Sequence, residues 1–127
     1  MLPTVNRLRK AAEYREVFSN SKRRGNETLI VHAVIKDTNE ADLLKVGFVV
    51  GKKVGNSVIR HKVTRRLRHI VRDLLPNITA QQIVIRAQKP ASTASSHELK
   101  EKLIHELVRL GVFQTDTEKP TKSVELS

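Results

Sequence analysis

Residues 43–76 read LLKVGFVVGKKVGNSVIRHKVTRRLRHIVRDLLP, and three signals follow one another within them. Leu43 to Val50 is β-rich and near-continuously apolar at its end, at Val46, Phe48, Val49 and Val50. A strand buried on both faces has that pattern. Gly51 to Ser57 is a loop, and Asn56 or Ser57 is a natural helix N-cap. From there apolar residues recur at helical spacing until Pro76 stops the helix at about Leu75. Stepping about 100° per residue, Ile59, Val63, Leu67, Ile70, Val71 and Leu74 fall in one stripe. His61, Lys62, Arg65, Arg68, His69 and Arg72 fall opposite. Arg60 lies nearer the apolar side, at the first turn, and Arg66 flanks the stripe.

A further strand is expected at Gln82 to Ala87, from Ile83, Val84 and Ile85. It completes a β-α-β unit whose two strands are expected to be parallel and adjacent. The usual crossover of such a unit is right-handed. Upstream, residues 1–8 lack a period and read as an extended arm. Residues 9–19 read as a short helix with Tyr14 and Phe18 paired at i and i+4. Ser19 to Asn26 is polar and basic and reads as a loop, followed by a strand from Thr28 to Ile35. Downstream, residues 89–94 read as a loop. Ser95 and Glu98 match a capping box, the last helix carries Leu99, Leu103, Leu107 and Leu110, and Gly111 is its C-cap. From Gln114 the chain is polar and patternless, giving one domain over residues 1–113 and a frayed tail over 114–127. The order is α-β-β-α-β-α, an α+β fold.

The 127 residues carry 24 Lys and Arg against 13 Asp and Glu, for a net charge of +11. The surplus is concentrated. Residues 1–75 hold 17 basic against 7 acidic side chains, while residues 76–127 hold 7 against 6. Between Asp42 and Asp73 there is no acidic residue and there are nine Lys or Arg. A solvated helix normally alternates signs for i,i+4 pairs. Here like charges repel one another, so the cationic face implies a polyanionic partner. There is no Cys, which excludes disulfides and thiolate metal sites. No signal-peptide core and no apolar run of membrane length is present, so a cytoplasmic protein is expected.

Several apparent motifs carry no chemistry. Gly51 and Gly55 beside Lys52 and Lys53 fail the spacing of a phosphate loop, and a cationic turn with amides free for phosphate oxygens fits better. The histidines, at positions 32, 61, 69, 97 and 105, show no zinc-like i,i+4 spacing. His61 and His69 sit on the basic face, and His32 in its strand is compatible with plain packing. Glu13, Glu16, Asp73, Glu98, Glu101 and Glu106 read as helix-surface residues, with no acid–base pair and no activated nucleophile among them. Tyr14 and Phe18 fit either core packing or, with Lys22, Arg23 and Arg24 nearby, a stacking platform for single-stranded nucleic acid.

Taken in order, three stretches resemble one family, the protein subunit of bacterial ribonuclease P. They are residues 6–18 (NRLRKAAEYREVF), residues 46–58 with the Lys-Lys-x-Gly-Asn-Ser-Val turn, and residues 60–68 (RHKVTRRLR), which stand where the family has an Arg-Asn-Arg signature. Residues 85–90 resemble the strand and loop that follow. Here His61 replaces the signature Asn, Lys62 replaces its second Arg, and Thr64 replaces a usual Lys. Lys62 lacks the bidentate fork of Arg. Leu29 and His32 stand where relatives place aromatics, which thins stacking in a cleft. The resemblance implies a two-layer α/β sandwich similar to the second domain of ribosomal protein S5, with a left-handed β-α-β crossover. It implies a protein cofactor of an endonuclease that removes the 5′ leader of precursor tRNA, with hydrolysis performed by the RNA subunit and its Mg²⁺. It also implies that Lys52, Lys53, Asn56, Arg60, His61, Lys62, Arg65, Arg66, Arg68 and Arg72 meet the catalytic RNA. Tyr14, Phe18 and His32 would line the leader cleft. The competing reading is a ribosomal or assembly protein that binds structured RNA without a catalytic partner. A sequence-specific DNA regulator is weaker still, since nothing resembles a helix-turn-helix reader.

Overall fold

The computed structural model describes residues 7–8, 10–35 and 44–114. Helix α1 spans Ala11–Asn20, and strands β1 (Lys22–Gly25), β2 (Leu29–Val34) and β3 (Lys45–Val50) follow. Helix α2 spans Ser57–Leu74, strand β4 Gln82–Ala87 and helix α3 Ser96–Leu110. Short 3₁₀ turns at Leu75–Asn77 and Lys89–Ser92 complete the described chain.

The four strands form one sheet in the order β1-β2-β4-β3. β3 and β4 are parallel and adjacent, with Val46 opposite Ile83 and Phe48 opposite Ile85. β2 pairs antiparallel with β4, and β1 with β2. The two-residue period of a strand then divides the sheet into two faces. Leu29, Val31, Ala33, Val46, Ile83 and Ile85 point to the face covered by α2 and α3, where the main core lies. Val34 and Val84 point to the other face and pack with Leu8, Val17, Tyr14 and Val49 beneath α1. The sandwich of sheet and helices α2 and α3 is as expected, and α1 adds a smaller layer on the opposite side.

Three expectations need correction. Ser19 to Asn26 is not all loop, because Lys22–Gly25 forms an edge strand. All four of its residues are exposed, so no apolar alternation marks it in the sequence. The hairpin is closed by Asn26, whose Oδ1 accepts from the backbone N–H of Thr28 at 2.8 Å and of Leu29 at 2.9 Å. Second, β3 is not buried on both faces. It lies at the sheet edge, and Phe48, Val49 and Val50 are only half-buried. The strands with four or more buried positions are β2 and β4, in the middle of the sheet. Third, Gln114 is not frayed. Its N–H donates to the Asn77 carbonyl at 2.8 Å and its carbonyl accepts from the Asn77 side chain. Residues 1–6 and 115–127, most of the expected arm and tail, lie outside the described residues. Leu8, at the end of that arm, donates its N–H to the Val46 carbonyl at 2.9 Å and so runs along the outer edge of β3.

Helix ends follow the sequence closely. Asn56 caps α2, accepting from the Ile59 N–H at 2.9 Å. Ser95 and Glu98 form a reciprocal capping box on α3. Gly111 closes α3 at φ 76°, a left-handed conformation that favours glycine.

Candidate nucleic-acid interface

Helix α2 holds its charge rigidly. Val63, Leu67, Ile70, Val71 and Leu74 are buried in the main core and fix the helix rotation. His61, Lys62, Arg65, His69 and Arg72 therefore project into solvent. Arg60 and Arg68 are half-buried, and the Nε of each is shielded from solvent without a hydrogen-bond partner among the described residues. Thr64 donates to the Arg60 carbonyl at 2.8 Å. Among the described residues, Lys52, Lys53, Arg60, Lys62, Arg65 and Arg68 have no acidic partner in ion-pair reach. Arg72 has one, a 3.7 Å approach to Asp73 between two exposed groups, a kind of pair that contributes little. Arg66 is different, since its guanidinium donates to the Ala94 carbonyl at 3.0 Å. Part of Arg66 therefore ties α2 to the segment leading into α3.

A second region lies on the α1 face of the sheet. Tyr14 rests on Gly47 so closely that a Cβ at Gly47 would stand 2.6 Å from its ring. Its hydroxyl donates to the Leu8 carbonyl at 3.4 Å. Burial raises the phenol pKa, against the opposing pull of the Phe48 backbone and the Arg68 charge. Phe18 is 42% exposed. It meets His32 edge-to-face with ring centroids 4.9 Å apart, and the Arg86 guanidinium lies 5.7 Å from its centroid. His32 is only 6% exposed. Burial first, then the charges of Arg86 and Arg23, push its imidazole below the ordinary value, so the ring is neutral at neutral pH. Its Nδ1 lies 3.4 Å from the Ser21 hydroxyl.

The same face continues into a groove of about 840 Å³. Ile30 and Val49 supply apolar walls, Lys52, Lys53, Arg86 and Lys89 supply positive charge, and Glu27, paired with Lys102 at 3.0 Å, is the one acid in the lining. The structure thus groups Lys52 and Lys53 with Arg86 and Lys89, around a groove, rather than with the outer face of α2. Sequence reasoning left Arg86 and Lys89 unassigned. The available signal was Arg86 itself, a charge following Ile83, Val84 and Ile85 in a buried strand. Arg23, read from the sequence as a loop cation near Phe18, lies in the edge strand opposite His32 in the β1–β2 register.

Two sequence readings are overturned here. Leu29 does not face the cleft. It is fully buried in the core under α2 and α3, because it lies three residues from His32 and so on the other side of the pleat. Glu106 is not a surface residue. It is fully buried, accepting from Asn26 Nδ2 at 2.9 Å, His105 Nδ1 at 3.1 Å and Arg109 at 3.2 Å. The hairpin turn folds Asn26 over α3, and no local pattern announces that contact.

Among the described residues no group of three or more His, Asp or Glu is arranged to hold a metal ion. No described helix is long and apolar enough to cross a membrane.

Residues 2–111 match the family described as Ribonuclease P. The chain is 40% identical over 116 residues to the ribonuclease P protein component of a Nocardioides species, covering 91% of this chain and 99% of that one. It is 37% identical to the Rhodococcus erythropolis component over 126 residues, covering 94% and 100%. Among solved structures, the Staphylococcus aureus RNase P protein superposes with a TM-score of 0.76 at 27% identity, over 86% of this chain and 98% of that one. The Thermotoga maritima protein gives 0.70 at 28% identity, over 81% and 96%. With its four-stranded α+β fold, the cationic outer face of α2 and these relatives, the chain belongs to the family of ribonuclease P protein components, subunits of a tRNA-processing ribonucleoprotein.

Proposed function

We propose that this chain docks on the catalytic RNA of ribonuclease P through α2 and holds the single-stranded 5′ leader of precursor tRNA on the α1 face. The observation that carries the reading is the set of α2 cations, Arg60, Lys62, Arg65 and Arg68, presented on a helix anchored by its buried apolar stripe and without acidic partners among the described residues. Neutralising phosphates releases counterions, so each contact adds affinity and salt dependence. Rigid presentation limits the entropy lost on binding.

The leader path begins at Phe18 and runs over Arg86 toward Lys52, Lys53 and Lys89. A half-exposed ring offers a base a stacking surface, worth about 1–3 kcal/mol per stacked base. The cations beside it follow the phosphates. Tyr14 acts differently. Its ring is committed to Gly47 and its hydroxyl to Leu8, so it shapes the cleft wall and leaves stacking to Phe18. His32, neutral and edge-on to Phe18, holds that ring in place.

In this reading the RNA subunit performs the hydrolysis in the cytoplasm, and Mg²⁺ bound to that RNA supplies charge stabilisation of the transition state. The protein chain holds neither the metal nor the reacting atoms. It neutralises RNA phosphates and positions the leader, which lowers the divalent-ion concentration the complex needs.

The test is cleavage of a precursor tRNA by a bacterial ribonuclease P RNA at low Mg²⁺, with and without this protein. Stimulated cleavage at the mature 5′ end is expected, with Phe18→Ala reducing the gain for substrates with a leader of several nucleotides. Tight binding to the RNA without stimulation would instead make the chain a structural RNA-binding protein.

A further inference from the structure

The neutral second half of the chain contributes to a cationic site that neither half shows alone. α2 and α3 pack side by side, and a groove of about 360 Å³ opens along their seam. One wall carries Arg65, Arg66, His69 and Asp73 from α2, and the other carries His97 and Lys100 from α3. Arg65, His69, His97 and Lys100 are exposed. The acidic side chains nearby offset only part of this charge. Asp73 lines the groove as one carboxylate against Arg65, Arg66 and Lys100, and Glu101 lies 3.3 Å from His97 on the adjoining helix surface. Arg65 and Arg66 on α2 and Lys100 on α3 leave the seam with a surplus of positive charge, and two imidazoles add hydrogen-bonding nitrogens. Like charges gathered in this way destabilise the free protein, and an anion in the groove offsets that repulsion.

Arg65 also lines the two depressions on the outer face of α2, one with Ser57, Val58, His61 and Lys62 and one with His61, Thr64 and Arg68. It stands where the docking face and the seam meet. The geometry points to a second phosphate-binding segment at the α2–α3 seam, in which a backbone strand of the catalytic RNA passes from α2 over Arg65 to Lys100 and His97. This inference rests on the docking reading above, and it extends the RNA footprint onto α3. The ligand class is the phosphodiester backbone of RNA. No Phe, Tyr or Trp is among the residues that line the groove, and contacts to backbone phosphates carry no sequence information directly.

The experiment measures binding of the full-length protein to a bacterial ribonuclease P RNA transcript as a function of salt, for wild type, Lys62→Ala, Lys100→Ala and Lys100→Glu. Lys62 lines only the outer face and reports docking through α2. Lys100 lines only the seam. Lys100→Ala is expected to weaken binding severalfold and to reduce the log–log salt slope by about 1. Lys100→Glu should weaken it further, with neither melting temperature below the wild-type value. Because the chain has no native Cys, His97→Cys can carry a photocrosslinker at one defined site, which should attach to the catalytic RNA in the complex. Wild-type affinity and slope in both Lys100 variants, with Lys62→Ala weakened, would overturn the seam site and leave α2 docking intact. Wild-type binding in all three variants would overturn the docking reading and the seam with it.

Discussion

At the scale of single residues, position 47 and position 106 show how a small choice shapes the site. Gly47 in β3 lets the Tyr14 ring lie directly on the strand. A methyl group there would push the ring off its seat, and overpacking of this kind costs about 1–3 kcal/mol. Gly47→Ala is therefore expected to lower the urea midpoint with an unchanged m-value. Wild-type stability would mean that the ring swings aside freely. Glu106 is held differently. Burial alone would raise its pKa, but hydrogen bonds from Asn26 and His105 and the charge of Arg109 outweigh that, and the carboxyl is held below the usual range. A depressed carboxylate contributes stability that is present above its unfolded-state value and is lost as pH falls through the folded value. Glu106→Gln should thus reduce stability at neutral pH and shrink the loss seen on acidification to below pH 4.5, the ordinary value for this group. Parallel stability–pH curves for the two proteins would show that this carboxylate is not the acid-sensitive link. His32 and Phe18 were named from sequence, but their edge-to-face contact and the flanking Arg86 were not legible there. Phe18 lies on α1, His32 on β2 and Arg86 on β4, elements that meet only after folding.

At the scale of elements, α2 was readable almost residue by residue. The stripe Val63, Leu67, Ile70, Val71 and Leu74 is buried as its spacing requires, with Ile59 half-buried at the entrance. Its start depends on Asn56, and removing a cap of this type costs about 1 kcal/mol. Asn56→Ala should lower the melting temperature, whereas Asn56→Asp should keep the cap and its stability while weakening RNA binding through a negative charge among the docking cations. If the Asp variant binds the RNA as wild type does, the helix entrance is not at the interface. β1 is the opposite case. Lys22–Gly25 contains no apolar side chain that would betray a strand in the sequence. The hairpin exists because Asn26 closes the turn and because β2 offers its free edge.

At the scale of the whole molecule, charge and packing are in tension. A net charge of +11 is crowded on α2, the seam and the groove, over a core of Val, Ile, Leu and Ala. Anions that bind the native state and not the unfolded chain stabilise it by mass action. Sulfate or phosphate is expected to raise the melting temperature by several degrees over chloride matched for ionic strength. An equal melting temperature in the two salts would mean that the free protein tolerates its own charge.

The chain's order of signals alone determined the β-α-β unit, the caps of α2 and α3, the orientation of α2 and the family, because each rests on local spacing or on motifs read in series. Only the tertiary structure decided which strands lie inside the sheet and which at its edge, since near-continuous apolar runs look alike at either place. It also decided that Leu29 faces the core, that Glu106 is buried, that Lys52 and Lys53 share a groove with Arg86 and Lys89, and that Lys100 lines one groove with Arg65. Those pairings join residues dozens of positions apart, and sequence periodicity carries no record of such distances.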